Sequence, residues 1–148
     1  MDTRMPTCRS LLLNGGRALL ALSILLLAAC SLAPEVTDMG RFVERSVEVG
    51  GERHAFRVFV PAAGLRRGPL PLILFLHGTG ERGSDGEKPT LVGLGPAVRA
   101  QAADFPALVV FPQAPDGMDW KGVAADIAFA ALDAASREFD GDPARTYL

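Results

Sequence analysis

Two stretches near residue 50 alternate apolar and polar side chains, which is the pattern of strands with one buried face. They run from Phe42 to Val49 and from His54 to Val60, and Gly50-Gly51 lies between them. A pair of glycines between two alternating stretches predicts a β-hairpin. The core-facing side chains predicted on the second strand are Phe56, Val58 and Val60.

Farther along the chain, apolar runs without alternation indicate strands that are covered on both faces. Leu72 to Leu76 is one such run, which we expect to be the central strand, and Ala107 to Phe111 is a second. The sequence after Gly141 favours another strand that begins at about Thr146. A hairpin followed by parallel strands predicts a mixed α/β architecture.

Two segments between and after these runs have helical character. Pro96 to Ala103 is a short helix, and Trp120 to Phe139 is an alanine-rich one. Asp119 is placed to cap the start of the longer helix, and Gly141 is placed to end it. The fold class predicted from this alternation of strands and helices is α/β.

The N-terminal residues have the pattern of a processing segment. Arginines precede an apolar run from Ala18 to Ala29, which is shorter than the roughly 20 residues that span a bilayer and matches a signal peptide. The run ends in Leu27-Ala28-Ala29-Cys30, which resembles the bacterial lipobox, in which the cysteine is diacylated after cleavage. This predicts a signal peptide at 1–29, and a membrane anchor at Cys30. The alternative is an ordinary signal peptide in which Cys30 is incidental.

This organisation assigns residues 30–41 to an acylated tether and 42–148 to a folded domain. The localisation it implies is the bacterial cell envelope, lipid-anchored and facing the periplasm from the outer membrane, or exported. The other cysteine, Cys8, lies in the segment to be removed, so we expect no disulfide framework and no thiolate metal site. The formal net charge is −2 and no basic stripe is present, which gives no support to nucleic-acid binding.

The central strand leads into the most informative loop of the sequence, LHGTGERG at 76–83. Open α/β sheets bind ligands at the carboxyl ends of their strands, and glycines there let backbone N–H groups approach developing negative charge. The loop resembles the oxyanion loop of α/β-hydrolases, which follows the third strand. With FPQAP at 111–115 it is similar to the secreted esterase, polyhydroxybutyrate depolymerase-like and "predicted peptidase" (phospholipase/carboxylesterase-like) branch of that superfamily.

The resemblance implies a fold, a reaction and a site. The fold would be the N-terminal part of an α/β-hydrolase: three layers, a mostly parallel sheet and an N-terminal antiparallel hairpin. Gly78, Thr79 and Gly80 would form the oxyanion loop, with the Thr79 N–H as a donor. His77 would brace this loop rather than act as a base, and Glu81 would form an ion pair with Arg82. The substrate would be a small-molecule ester or polyester, less readily a peptide, with no cofactor and no metal.

The sequence lacks the G-x-S-x-G turn that holds the nucleophile of these enzymes. Ser84 comes nearest, in RGSDG, but Arg82 takes the place of the first glycine and no strand leads into it. The segment from Arg145 to Leu148 resembles the strand that enters the nucleophile turn. We therefore expect a chain truncated before its catalytic serine, inactive by itself, with nucleophile, acid and base all absent.

A different class of function stays open. The protein is also compatible with a non-catalytic envelope lipoprotein that uses a hydrolase-like sheet for binding. The genomic sequence after Leu148 separates the two, since an in-frame G-x-S-x-G favours the enzyme and a stop codon favours the binding protein.

Overall fold

The computed structural model describes residues 38–148, which form a five-stranded sheet with two α-helices packed on it. The predicted signal peptide and Cys30 lie outside the described residues. The strands are β1 (Arg41–Val49), β2 (Glu52–Val60), β3 (Leu70–Leu74), β4 (Leu108–Pro112) and β5 (Gly141–Tyr147). The helices are α1 (Leu94–Ala100) and α2 (Val123–Phe139). The strand order across the sheet is β1-β2-β4-β3-β5.

The predicted hairpin is confirmed. β1 and β2 are antiparallel, and Val49 pairs with Glu52 across the turn. Gly50 and Gly51 have φ angles of 63° and 82°. A two-residue turn with positive φ at both positions matches the right-handed twist of the strands, and glycine adopts it without steric cost. β1 begins at Arg41, so the last residue of the predicted tether is the first residue of this strand.

Both predicted apolar strands are present, with a change of position. β3 occupies residues 70–74 rather than 72–76, although the Phe75 N–H still donates to the Val110 carbonyl at 2.9 Å. β4, not β3, is the middle strand, and all five of its residues are buried. β3 and β4 are parallel, so the loops that follow them leave the same edge of the sheet.

The last strand starts earlier than predicted. β5 begins at Gly141 instead of about Thr146, and it pairs with β3 in parallel, with an irregularity where Leu70 and Leu72 meet it. Its first half contains Pro143, which cannot donate a ladder hydrogen bond and is tolerated because β5 is an edge strand. Backbone pairing with β3 therefore fixes the position of this strand, and no apolar run in the sequence predicts its start.

The long helix differs from its prediction at both ends. α2 starts at Val123, three residues after Trp120, and no side chain caps it. Asp119 is not its N-cap, because Gly122, with φ 51°, occupies that position, and the Asp119 carboxylate forms an ion pair with Arg82. At the other end, Asp140 takes the left-handed conformation, with φ 57°, and its N–H bonds to the Ser136 carbonyl. Asp140 rather than Gly141 therefore ends the helix.

The sheet is covered on both faces, as the three-layer prediction requires. α2 packs on one face, over a core of strand residues that includes Phe56, Val58, Val60, Leu72, Leu74 and Val110. On the other face, Val98 of α1 packs with Phe59, Val109 and Phe111. The sheet is mixed rather than mostly parallel, because β1-β2 and β2-β4 are antiparallel pairs and β4-β3 and β3-β5 are parallel ones.

Among the described residues, neither helix is long and apolar enough to cross a membrane.

Candidate active site

The glycine-rich loop lies where the sequence predicts, at the carboxyl end of β3. Gly78 is extended, with φ −80° and ψ −167°, and Thr79–Glu81 form a single 3-10 turn. Gly78, Thr79 and Gly80 are exposed. Thr79 is the first residue of the turn, where a backbone N–H has no acceptor inside the helix. Within residues 38–148 the Thr79 N–H donates no hydrogen bond to another residue, so it is available to a ligand.

His77 anchors the start of this loop. The ring is 5% exposed, and both of its nitrogens are hydrogen-bonded to the backbone. Nδ1 lies 2.6 Å from the Gly78 carbonyl oxygen, and Nε2 lies 3.0 Å from the Ala114 nitrogen. Because a carbonyl only accepts and an amide N–H only donates, the ring is the neutral tautomer with the proton on Nδ1. The structural role predicted for His77 therefore agrees with its contacts.

Trp120 holds the same anchor from a second direction. Its Nε1–H donates to the His77 carbonyl at 2.9 Å, and the two rings meet edge to face with centroids 4.8 Å apart. Trp120 is half-buried and lies in the connection between β4 and α2 rather than inside the helix. The connection that follows β4 therefore braces the loop that follows β3.

Gln113 holds the candidate loop, and the sequence reasoning missed this contact. It directly follows β4, and its side chain is 2% exposed. Its Nε2 donates to the Glu81 carbonyl at 2.8 Å, and its Oε1 accepts from the Gly86 N–H at 2.6 Å. The only signal for it in the sequence is the FPQAP string, which carried the family resemblance without assigning a role to the glutamine.

The remainder of the loop is fixed by its own turns. Asp85 accepts hydrogen bonds from the N–H groups of Glu87 and Lys88. Burial raises the pKa of Asp85, but these two hydrogen bonds, with the nearby Lys88 ammonium, outweigh it and lower the pKa overall. Gly86 has φ 67°, and a Cβ there would lie 2.9 Å from the Cβ of Ala55, so both backbone and space require glycine.

A small cavity opens beside the exposed part of the loop. Its volume is about 160 Å³. Gly78 and Thr79 form one wall, and Gly80 is not part of it. The other lining residues are His77, Arg82, Ala114, Met118, Asp119 and Trp120. The cavity therefore brings two of the three predicted oxyanion-loop residues together with the residues that brace the loop.

An ion pair closes one side of this cavity, between partners other than those predicted. Arg82 pairs with Asp119 and not with its neighbour Glu81. Asp119 is also close to Lys121, at 3.8 Å. The pair links the β3 loop to the connection that follows β4.

The other candidate residues lie away from this cavity. Ser84 is exposed in a surface turn, and Ser136 donates from Oγ to the Gly141 carbonyl at 3.3 Å. His54, which the sequence suggests is solvated, is half-buried, and its Nε2 has no hydrogen-bond partner within residues 38–148. In the described part of the chain no serine lines the cavity, and no three His, Cys, Asp or Glu side chains form a metal-binding group.

Comparison with known proteins places the fold. No protein-family model and no curated protein sequence matches this chain. Among solved structures, a thermostable esterase from Pseudomonas putida is similar over 84% of this chain and 38% of its own, with 23% identity and a TM-score of 0.50.

Two further solved structures are more distant. A second thermostable esterase is 22% identical over 68% of this chain and 32% of its own, with a TM-score of 0.48. A fungal esterase from Rhizomucor miehei is 22% identical over 93% of this chain and 41% of its own, with a TM-score of 0.47.

The chain spans about a third of the length of the first two esterases, 32% and 38%. The likeness to the Pseudomonas putida enzyme concerns the fold alone. Part of an α/β-hydrolase fold is therefore present in residues 38–148.

Proposed function

We propose that this chain supplies the oxyanion loop of a serine hydrolase that acts on carboxylic esters. The observation that carries the proposal is the N–H of Thr79, which has no hydrogen-bond partner within residues 38–148. Thr79 is exposed and lines a cavity, on a loop whose two ends are hydrogen-bonded in place. Preorganised donors of this kind stabilise the negative oxygen of a tetrahedral intermediate. The solved structures that share the fold include an esterase, which supports an ester as the proposed substrate class.

The proposed reaction is the one that the family resemblance implies, with the Thr79 N–H in the role of an oxyanion donor. A serine oxygen attacks the ester carbonyl, and a histidine held by an acid takes its proton. The carbonyl oxygen becomes negative and accepts a hydrogen bond from the Thr79 N–H, with a second donor from the residue after the nucleophile. In our proposal the serine, histidine and acid are not residues of this sequence. None of its six serines lies in a G-x-S-x-G turn.

The cavity indicates a compact acyl group. Its volume of about 160 Å³ is close to the roughly 150 Å³ of an engineered protein cavity that binds benzene. Met118 and Trp120 supply apolar wall, and the Arg82–Asp119 pair supplies a polar edge. A short aliphatic or aryl acyl group of a small ester, or the end of a polyester, matches this volume and lining.

The experiment that tests the proposal changes Thr79 in the protein expressed from its complete natural reading frame. Thr79→Ala keeps the backbone N–H and should lower kcat less than about tenfold, or about 1.4 kcal/mol. Thr79→Pro removes the donor and should lower kcat by on the order of a hundredfold or more. Hydrolysis of p-nitrophenyl acetate measures both.

The backbone conformation at residues 78 and 79 is compatible with proline at position 79, so the two variants can be compared. Proline is tolerated at the first position of a helical turn, and the residue before it must be extended, which Gly78 already is. Circular dichroism checks that both variants fold. If Thr79→Ala were as damaging as Thr79→Pro in folded protein, the hydroxyl would be the important group and the backbone assignment would fail.

We further propose that Cys30 is lipidated and holds the protein at the bacterial envelope. The support is the sequence Leu27-Ala28-Ala29-Cys30 after an apolar run. Labelled palmitate should enter the wild-type protein in the producing cell and should be absent from Cys30→Ala. Cys8→Ala is the matched control and should be labelled like wild type. Equal labelling of wild type and Cys30→Ala would refute the anchor.

A non-catalytic binding protein is the second candidate. The observation in its favour is that no described serine lines the cavity and that both nitrogens of His77 are already hydrogen-bonded. The genomic sequence after the codon of Leu148 decides between the two. An in-frame G-x-S-x-G within the next codons supports the hydrolase, and a stop codon there supports the binding protein.

A further inference from the structure

We infer that Gln113 is the positioning residue of the oxyanion loop: its carboxamide sets where the backbone of residues 78–80 lies. The consequence for catalysis rests on the proposed function, whereas the ordering of the loop does not. Gln113 is not among the residues that line the cavity, so it would act through the loop rather than on a substrate.

The carboxamide bridges two points of the loop that are five residues apart. Nε2 holds the Glu81 carbonyl at 2.8 Å, and Oε1 holds the Gly86 N–H at 2.6 Å. Between them, the Gly83 N–H donates to the Ala114 carbonyl at 3.0 Å. Residues 81–86 are therefore folded around the buried side chain of Gln113, which directly follows the middle strand β4.

We call the two hydrogen bonds of the Gln113 carboxamide the clamp. The exposed part of the loop, residues 78–80, depends on this clamp because it has few contacts of its own. A Cβ built on Gly80 would meet nothing within 4 Å, and one built on Gly78 would meet only the Glu81 carboxylate, at 3.4 Å. Residues 78–80 are thus held at their two ends, by His77 and by Glu81. Glu81 is the last residue of the 3-10 turn that begins at Thr79, so a displaced Glu81 displaces the Thr79 N–H.

The clamp needs a side chain that donates and accepts at the same time. An ionised glutamate of the same length accepts twice and would set a negative oxygen against the Glu81 carbonyl. A protonated glutamate restores the donor, and burial favours that form by raising the pKa of a carboxyl group. Gln113→Glu should therefore behave as a pH-dependent defect that is repaired as the pH falls.

The first measurement is backbone order in the protein expressed from its complete natural reading frame. In wild type, NMR order parameters at Thr79, Gly80 and Glu81 should be near the roughly 0.85 of rigid backbone, and in Gln113→Ala they should fall below about 0.6. Gln101, the other glutamine, is exposed after α1, so Gln101→Ala is the matched control and should leave them unchanged. Unchanged order parameters in Gln113→Ala would overturn the inference.

Gln113→Glu is the second variant and serves also if Gln113→Ala does not fold. Its order parameters at residues 79–81 should approach wild type as the pH is lowered from about 8 to about 5, the range over which a buried carboxyl becomes protonated. Wild type and Gln101→Ala should show no such recovery. A Gln113→Glu loop that is equally ordered at both ends of this range would contradict the role of the donor.

Activity of the protein from its complete reading frame separates the two proposals. Gln113→Ala should lower kcat for p-nitrophenyl acetate by about ten- to a hundredfold with little change in KM, as expected for a misplaced transition-state contact. Full kcat in Gln113→Ala would refute the positioning role. A wild-type protein without esterase activity would refute the proposed function instead, and the order parameters would still decide whether Gln113 orders the loop.

Discussion

The two histidines of this chain have opposite environments. His77 is buried with both ring nitrogens hydrogen-bonded, to the Gly78 carbonyl and from the Ala114 N–H. His54 on β2 is half-buried, and its Nε2 has no partner among the described residues. A buried polar group stabilises a fold only if its hydrogen bonds are made, and it costs free energy if they are missing. Replacing histidine by leucine should therefore destabilise the fold at position 77, and at position 54 it should leave the stability nearly unchanged or raise it.

We predict that His77→Leu lowers the free energy of unfolding by about 1–3 kcal/mol, because it leaves the buried Ala114 N–H without an acceptor. His54→Leu removes a nitrogen that has no partner and should change stability by less than about 0.5 kcal/mol, or raise it. Urea denaturation of both variants measures the difference. Equal destabilisation would mean that the hydrogen bonds of His77 contribute little.

At the scale of elements, the sequence predicted best where the pattern is local. The hairpin follows from alternation and two glycines, and the buried strands follow from apolar runs that β3 and β4 reproduce within two residues. The predicted start of α2 was wrong because Gly122, with φ 51°, directly precedes the helix. Asp119, a good capping residue, pairs instead with Arg82, which is 37 residues away. β5 was placed too late because its first half, Gly141 to Ala144, has no apolar run and is fixed by pairing with β3.

The site, too, was predictable only where its signals are local in the sequence. His-Gly after an apolar strand located the loop, and the role of His77 followed from the resemblance. The contacts that hold the loop come from residues 113, 114 and 120, across the sheet edge, and no spacing along the chain reports them. Gln113 in particular reads as an ordinary polar residue between two prolines, and only the parallel pairing of β3 and β4 brings it to Glu81 and Gly86.

Arg45 connects two elements, because it lies on β1 and reaches the last turn of α2. Its Nε donates to both carboxylate oxygens of Glu138, at 2.8 and 2.9 Å, and its guanidinium lies 5.5 Å from the centre of the Phe139 ring. Hydrogen bonding from Arg45, with its positive charge, lowers the pKa of Glu138. A carboxyl group with a lowered pKa in the folded state stabilises the fold above its unfolded pKa, and this contribution is lost as the pH falls through the folded value.

We therefore predict that Glu138→Gln is less stable than wild type at pH 7, by under about 1 kcal/mol because the pair is exposed. The difference should shrink as the pH falls below about 4, near the ordinary range of a glutamate. Thermal melts at a series of pH values measure it. Glu48→Gln is the control on the same strand, since Glu48 makes no ion pair within residues 38–148, and it should show no such dependence.

For the whole molecule, the sheet has two unlike edges. β1 carries Arg41, Glu44, Arg45 and Glu48, and charged side chains of this kind discourage pairing with other chains. β5 carries Pro143 and the Asp142–Arg145 ion pair, and it leaves Tyr147 exposed, at 58%. The two edges are therefore protected by different features, and β5 lies next to the loop strand β3.

The arrangement of serines over the molecule leads to the last prediction, that the 148-residue chain does not hydrolyse esters. Ser46 and Ser84 lie with Glu44, Arg45 and Arg53 at a separate open cavity of about 520 Å³, and Ser136 faces the Gly141 carbonyl. An oxyanion donor without a nucleophile has no developing charge to stabilise. On p-nitrophenyl acetate the purified chain should match a buffer blank. Turnover that is lost in Ser84→Ala and kept in Ser46→Ala would make Ser84 the nucleophile and would move the active site to that second cavity.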